Sequence, residues 1–319
     1  MAGRMPAKTS SVREIEAILD RHRNELVVPG SMLNAFMIPA REIAMQSTGS
    51  GFSISAADLA DLVALRDQVV GFLAGWFDRL IALAGERRRN LVRYDGIGVV
   101  SLGCDCLSRA VLARWGLKKT AKLGEKSGPF DLAVHYPETV ARLLADGFSG
   151  YLDPDQLAYR DQESICVHSD YLVTFNHEVG QEYAADEFRK LRDIYSRRIV
   201  NLHAALADLR PVGLVVHVPH FIELTPTRVD CLKRTLDLIT ARRQRPTSMI
   251  VINSHVPGQP VGVEEQAVDG FLLRHVPMPQ ADYVWHWPQC YMSDDGHAYE
   301  RQVATIVAER LDQLITSTA

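Results

Sequence analysis

From about residue 97 onward the chain alternates short apolar runs with amphipathic stretches, and this alternation restricts its fold more than any other feature. The runs at 97–102, 171–175, 212–218 and 249–253 are too short for buried helices and are rich in β-branched residues, so each predicts a strand. Shorter candidates follow at 271–276 and 283–287. Helical spacing fills the intervals at 106–115, 186–209, 227–241 and 297–316, the last with Val303, Ile306, Val307, Leu311 and Leu314 on one face. Strands separated by helices predict an α/β fold: a mainly parallel sheet with helices on both faces, a three-layer sandwich.

Residues 1–95 read instead as a helical N-terminal segment, which places the α/β domain at 96–319. Ser11-Val12-Arg13-Glu14 has capping-box form, and so has Ser55-Ala56-Ala57-Asp58. The second opens a long helix with Leu59, Leu62, Val63, Val69, Val70, Leu73, Trp76, Phe77 and Leu80 at helical spacing. That helix is expected to stop at Gly85. A small-residue linker, Ser47-Thr48-Gly49-Ser50-Gly51, precedes it.

Composition excludes several classes. The 319 residues carry a net charge of −4, so no basic excess points to nucleic acid. The clusters Arg87-Arg88-Arg89 and Arg242-Arg243-Gln244-Arg245 fall at predicted helix ends, where cations offset the helix dipole. No apolar run approaches the roughly 20 residues of a membrane span, and residues 1–11 do not read as a secretory signal. Five cysteines at irregular spacing predict free thiols in a reducing, cytoplasmic compartment rather than disulfides. The expectation is therefore no cofactor, no bound metal, no nucleic acid and no membrane span, with the oligomeric state left open.

The first strand runs into Ser101-Leu102-Gly103-Cys104-Asp105-Cys106 and then a helix. Open α/β sheets bind ligands at the carboxyl ends of their strands. A thiol at a helix N-terminus has its pKa lowered there, and the backbone N–H groups of Gly103, Cys104 and Asp105 are candidates to hold a developing oxyanion. The alternative is structural: a buried thiol and an Asp105 helix cap. Cys104 and Cys106 are one residue apart, with no second pair at zinc spacing. Cys166, Cys231 and Cys290 read as buried thiols.

Further blocks accompany this turn: Ala110 and Leu112, Trp115-Gly116-Leu117, Pro129-Phe130-Asp131, Phe175-Asn176-His177-Glu178 and Tyr195-x-x-Arg198-Ile199. With Ser101-Leu102-Gly103-x-x-Cys106 they resemble an uncharacterised bacterial family labelled papain-like cysteine peptidase, over about residues 97–220. Leu132 departs from the aromatic residue expected there. The resemblance implies a Cys–His hydrolase with Cys106 and His177 at the matching positions.

A cysteine nucleophile needs a base within reach and a group that orients it. Glu178 is a candidate partner for His177. A second candidate base is His297 in Asp294-Asp295-Gly296-His297, ahead of the last helix. This block resembles, more weakly, the Asp-x-x-His of GDSL/SGNH-type hydrolases, in which the aspartate orients the histidine; a serine in Gly-Asp-Ser stands there in place of this cysteine. A helix cap explains the same four residues. A papain-like site sits between a helix and an antiparallel barrel, whereas the βα alternation favours the parallel-sheet arrangement. His217, His220 and His255 follow strand ends and are candidates to line the crevice; Trp285, His286 and Trp287 fit a pocket wall or strand packing.

The function expected is a cysteine-dependent hydrolase or acyltransferase acting on a peptide, amide or acyl ester, with Cys106 as nucleophile and His297 or His177 as base. The rival class is a non-catalytic protein binding a small molecule or glycan.

Overall fold

The computed structural model describes residues 72–317 apart from 121, 122 and 244, and before residue 72 only positions 17, 60, 63, 64, 66 and 67. Both predicted capping boxes lie outside the described residues. The elements in chain order are α1 (Phe72–Arg93), β1 (Gly98–Ser101), α2 (Leu107–Arg114), α3 (Pro137–Ala145), β2 (Leu157–Arg160), β3 (Ile165–His168), β4 (Val173–Val179), α4 (Ala185–Ala207), β5 (Val212–Val218), α5 (Pro226–Thr240), β6 (Thr247–His255), β7 (Gln266–Val268), β8 (Phe271–Pro277), α6 (Pro288–Tyr291) and α7 (Asp294–Thr316). No helix among the described residues is long and apolar enough to cross a membrane.

The chain divides into two compact units. The larger comprises 94–112, 126–282 and 302–319. Its five-stranded sheet has the order β1-β5-β6-β8-β7, with β1, β5, β6 and β8 parallel and β7 antiparallel. Burial of every residue of β5 explains why this strand reads as a continuous apolar run. Alternate residues face opposite layers. Leu214, Val216, Met249 and Val251 join one core with residues of α3, α4 and α5. On the other face Gly213 leaves room for Leu311 of α7: a Cβ added at Gly213 would stand 2.7 Å from Leu311 Cδ2.

The 171–175 run belongs elsewhere than predicted. It forms β4 of a second, antiparallel sheet, β2-β3-β4, inserted between α3 and α4. Buried Tyr151 sits at its base, stacked on His168 and against Phe175 and Tyr195. In β3 and β4, Cys166 pairs with Phe175, yet the next β3 residue, Ile165, pairs with Val179. Asn176, His177 and Glu178 thus form a bulge, a device that re-aims side chains.

From residue 72 onward, the described residues of the smaller unit lie in Phe72–Arg93, 113–125 and 283–301. Here α1 does not stop at Gly85 but continues to Arg93, because Arg87 and Asn90 on the added turns are buried and Asn90 donates to the Trp115 carbonyl at 2.9 Å. The block Trp115-Gly116-Leu117 follows from this packing. Gly116 has φ +75°, and a Cβ there would come within 2.3 Å of the Arg87 carbonyl oxygen. Buried Arg114 pairs with Glu300, lies 3.6 Å above the Tyr291 ring, and shares Glu300 with the Trp115 indole N–H at 3.1 Å. The predicted strand at 283–287 is absent: irregular chain at 283–284 passes through a turn and bend at 285–287 into α6 at Pro288.

Candidate functional site

The larger unit brings a thiol and an imidazole together. Cys106 ends the turn between β1 and α2 and is 9% exposed. The turn doubles back through Gly103 at φ +85° and Cys104 at φ +26°, a left-handed passage that glycine tolerates and cysteine adopts only under constraint. Constraint comes from below. Phe130 of Pro129-Phe130-Asp131 is fully buried, and a Cβ on Gly103 would meet His135 Cβ at 3.4 Å and Phe130 Cβ at 3.7 Å. Asp131 holds that support by accepting from the Gly128 N–H at 2.7 Å.

His177 Nε2 lies 3.3 Å from Cys106 Sγ. The bulge in β4 turns the His177 side chain outward while Glu178 points into the core. Glu178 does not orient the imidazole directly. It is 3% exposed, accepts from the Tyr195 hydroxyl at 3.0 Å and pairs with Arg198 at 2.7 Å. The Tyr195-x-x-Arg198 block of α4 thereby anchors the bulge from inside.

The electrostatics reverse one expectation. The Cys106 thiol is not lowered by its helix N-terminus; burial and then the Asp105 carboxylate push it up to about 12, against smaller opposing effects of its own backbone N–H and Arg109. An eight-residue helix preceded by a carboxylate gives little net positive field. Cys104 is sealed in the core, and burial drives its thiol higher still. The resting pair is a neutral thiol beside an imidazole.

Asp105 caps α2 by accepting from the Leu107 N–H at 3.0 Å, and its Oδ1 lies 2.8 Å from His217 Nδ1. His217, expected to line a crevice, is instead buried, and its link through Nε2 to Ser254 Oγ at 2.9 Å is invisible to spacing because the partners lie far apart in sequence. His220 packs on the exposed Phe221, and His255 stands beside His275.

The Asp294-Asp295-Gly296-His297 block has a local structural account within the smaller unit. Asp294 pairs with Arg79, Ser293 Oγ accepts from the Gly296 N–H at 3.0 Å, and a Cβ at Gly296 would collide with the Cys290 carbonyl at 1.9 Å. The His297 ring rests against Trp115, 5.1 Å between centroids; burial, Arg79 and Arg301 push it down to about 4. Trp285 lends its carbonyl to Arg114 in the same unit. Among the described residues no three His, Cys, Asp or Glu side chains form a metal-holding group.

Fold and geometry define an α/β protein with a cysteine–histidine pair at the carboxyl edge of its first strand. Residues 98–199 match the model of the family described as "Putative papain-like cysteine peptidase (DUF1796)", and this stretch contains both members of the pair. No curated protein and no solved structure matches the chain. The match does not extend to the Asp-x-x-His block, and the resemblance to GDSL/SGNH-type hydrolases has no support from it.

Proposed function

We propose that this protein is a cysteine hydrolase in which Cys106 is the nucleophile and His177 the general base. The observation that carries this reading is the 3.3 Å approach of His177 Nε2 to Cys106 Sγ, within reach for proton transfer. Support comes from the peptidase description of the family matched over 98–199.

The chemistry follows from the protonated resting thiol. His177 Nε2 accepts the S–H proton as sulfur attacks the carbonyl carbon of a peptide, amide or acyl ester. The tetrahedral oxyanion is held, in this reading, by backbone N–H groups of the Gly103–Cys106 turn. The imidazolium returns the proton to the leaving amine or alcohol, giving a thioester. Water, deprotonated by His177, then releases the acid and restores the thiol; an acceptor other than water in that step makes the protein an acyltransferase.

The test is turnover across a panel of peptide, amide and acyl ester substrates. Cys106→Ala and His177→Ala should each reduce turnover by on the order of 10³-fold or more, with unchanged circular dichroism. His297→Ala should leave activity within a few-fold. Turnover that survives Cys106→Ala overturns the proposal.

A further inference from the structure

Three side chains outside the Cys106–His177 pair form a chain across the carboxyl edge of the parallel sheet. Asp105 Oδ1 is 2.8 Å from His217 Nδ1, and His217 Nε2 is 2.9 Å from Ser254 Oγ. The three come from the β1–α2 turn, from β5 and from β6. They are closed off: His217 is 3% exposed and Ser254 1%. A carboxylate has no hydrogen to give, so His217 donates Nδ1–H to Asp105, and that tautomer makes Nε2 the acceptor for the Ser254 hydroxyl.

Acid, imidazole and hydroxyl in this order are the parts of a serine nucleophile relay. Ser254 is too deeply covered to meet a substrate, and the working end of the chain is the other one. Asp105 is the immediate neighbour of Cys106, and the oxygen that receives His217 also accepts the Leu107 N–H at 3.0 Å. Turn, helix start and strand edge are thus tied at one atom.

We propose that Asp105, locked by His217 and Ser254, is a positioning residue that restrains the Cys106 nucleophile: it fixes the turn carrying the sulfur and holds a carboxylate next to it. This rests on the reading of Cys106 as the nucleophile and adds its control. The groups that face the sulfur are Asp105, Arg109 of α2 and His177 of β4. Arg109 opposes Asp105, and the carboxylate outweighs it. A restrained thiol also resists adventitious alkylation and oxidation, both of which proceed through the thiolate.

The experiment is iodoacetamide labelling of Cys106 between pH 6 and 10, read on the Cys106 peptide by mass spectrometry. Asp105→Asn keeps an oxygen for both Leu107 and His217 but removes the charge, so labelling at pH 8 should rise several-fold, while the melting temperature stays near that of the parent. His217→Ala frees Asp105 to turn toward water, so labelling should rise several-fold. His217→Gln, with an amide that donates to Asp105 and accepts from Ser254, should restore parental labelling. Asp105→Asn labelling at or below the parental rate overturns the proposal; so does a His217→Gln protein that behaves like His217→Ala, and this comparison decides the matter if Asp105→Asn does not fold. Labelling needs no substrate, so these outcomes are separate from loss of the hydrolase reading, which shows only in the turnover of Cys106→Ala.

Discussion

Cys106 shows how far a single residue can be read from sequence. Glycine followed by cysteine after a strand marks a turn at a sheet edge, and the Phe175-Asn176-His177-Glu178 block supplies an imidazole at the matching family position. Neither reveals that the thiol is buried beside a carboxylate, because burial and the distance to His177 come from tertiary packing. The same limit hides His135, which is fully buried, 2.8 Å from the Tyr151 hydroxyl through Nε2. Burial pushes His135 down to about 3, so it is neutral when folded and gains a proton near pH 6.5 when unfolded. The unfolded chain therefore binds more protons than the folded one between those values, and stability is lost as pH falls from about 6.5 toward 3. Buried His168, lowered by burial too, acts in the same direction. Denaturant unfolding at pH 7 and pH 4.5 should show a loss to which His135 contributes roughly 2–3 kcal/mol. His135→Gln, which keeps a polar partner for Tyr151, should flatten the pH dependence.

Among the elements, the parallel strands were the most legible. β1, β5, β6 and β8 are buried along most of their length, so apolar residues fill both faces and the two-residue alternation is lost, with polar residues such as Ser101, His217, Asn253 and His275 toward their carboxyl ends. β2 and β3 escaped notice because each has four residues and one ends in Arg160. β4 was found but assigned to the wrong sheet: an apolar run signals burial, not which neighbour it pairs with. Its bulge is invisible to periodicity, since three unpaired residues break the two-residue repeat without any turn-forming glycine or proline. That bulge gives an element-scale prediction. Deleting Asn176 shortens it by one residue and carries His177 toward the other face of the strand. Turnover should fall as far as in His177→Ala, while the far-ultraviolet circular dichroism remains parental. Activity retained after the deletion would show that the bulge does not aim the imidazole.

At the scale of the whole molecule, the described residues of the smaller unit from 72 onward come from stretches far apart along the chain, Phe72–Arg93, 113–125 and 283–301. A linear reading cannot see that grouping, because its central contact joins Arg114 to Glu300 across 186 residues. Both side chains are buried, and a buried charge deprived of its partner costs about 3–5 kcal/mol. Glu300→Gln keeps an oxygen for the Trp115 indole but removes the charge opposite Arg114. A loss of about 3 kcal/mol in denaturant unfolding is expected, and Glu300→Asp should recover part of it. The larger unit supplies the last consequence. The sulfur stands at the edge of one sheet and the imidazole on the bulge of another, in contact at 3.3 Å, so the pair exists only while the two sheets keep their relative position. A substitution that shifts the small sheet by about an ångström would therefore part sulfur from imidazole without unfolding either sheet.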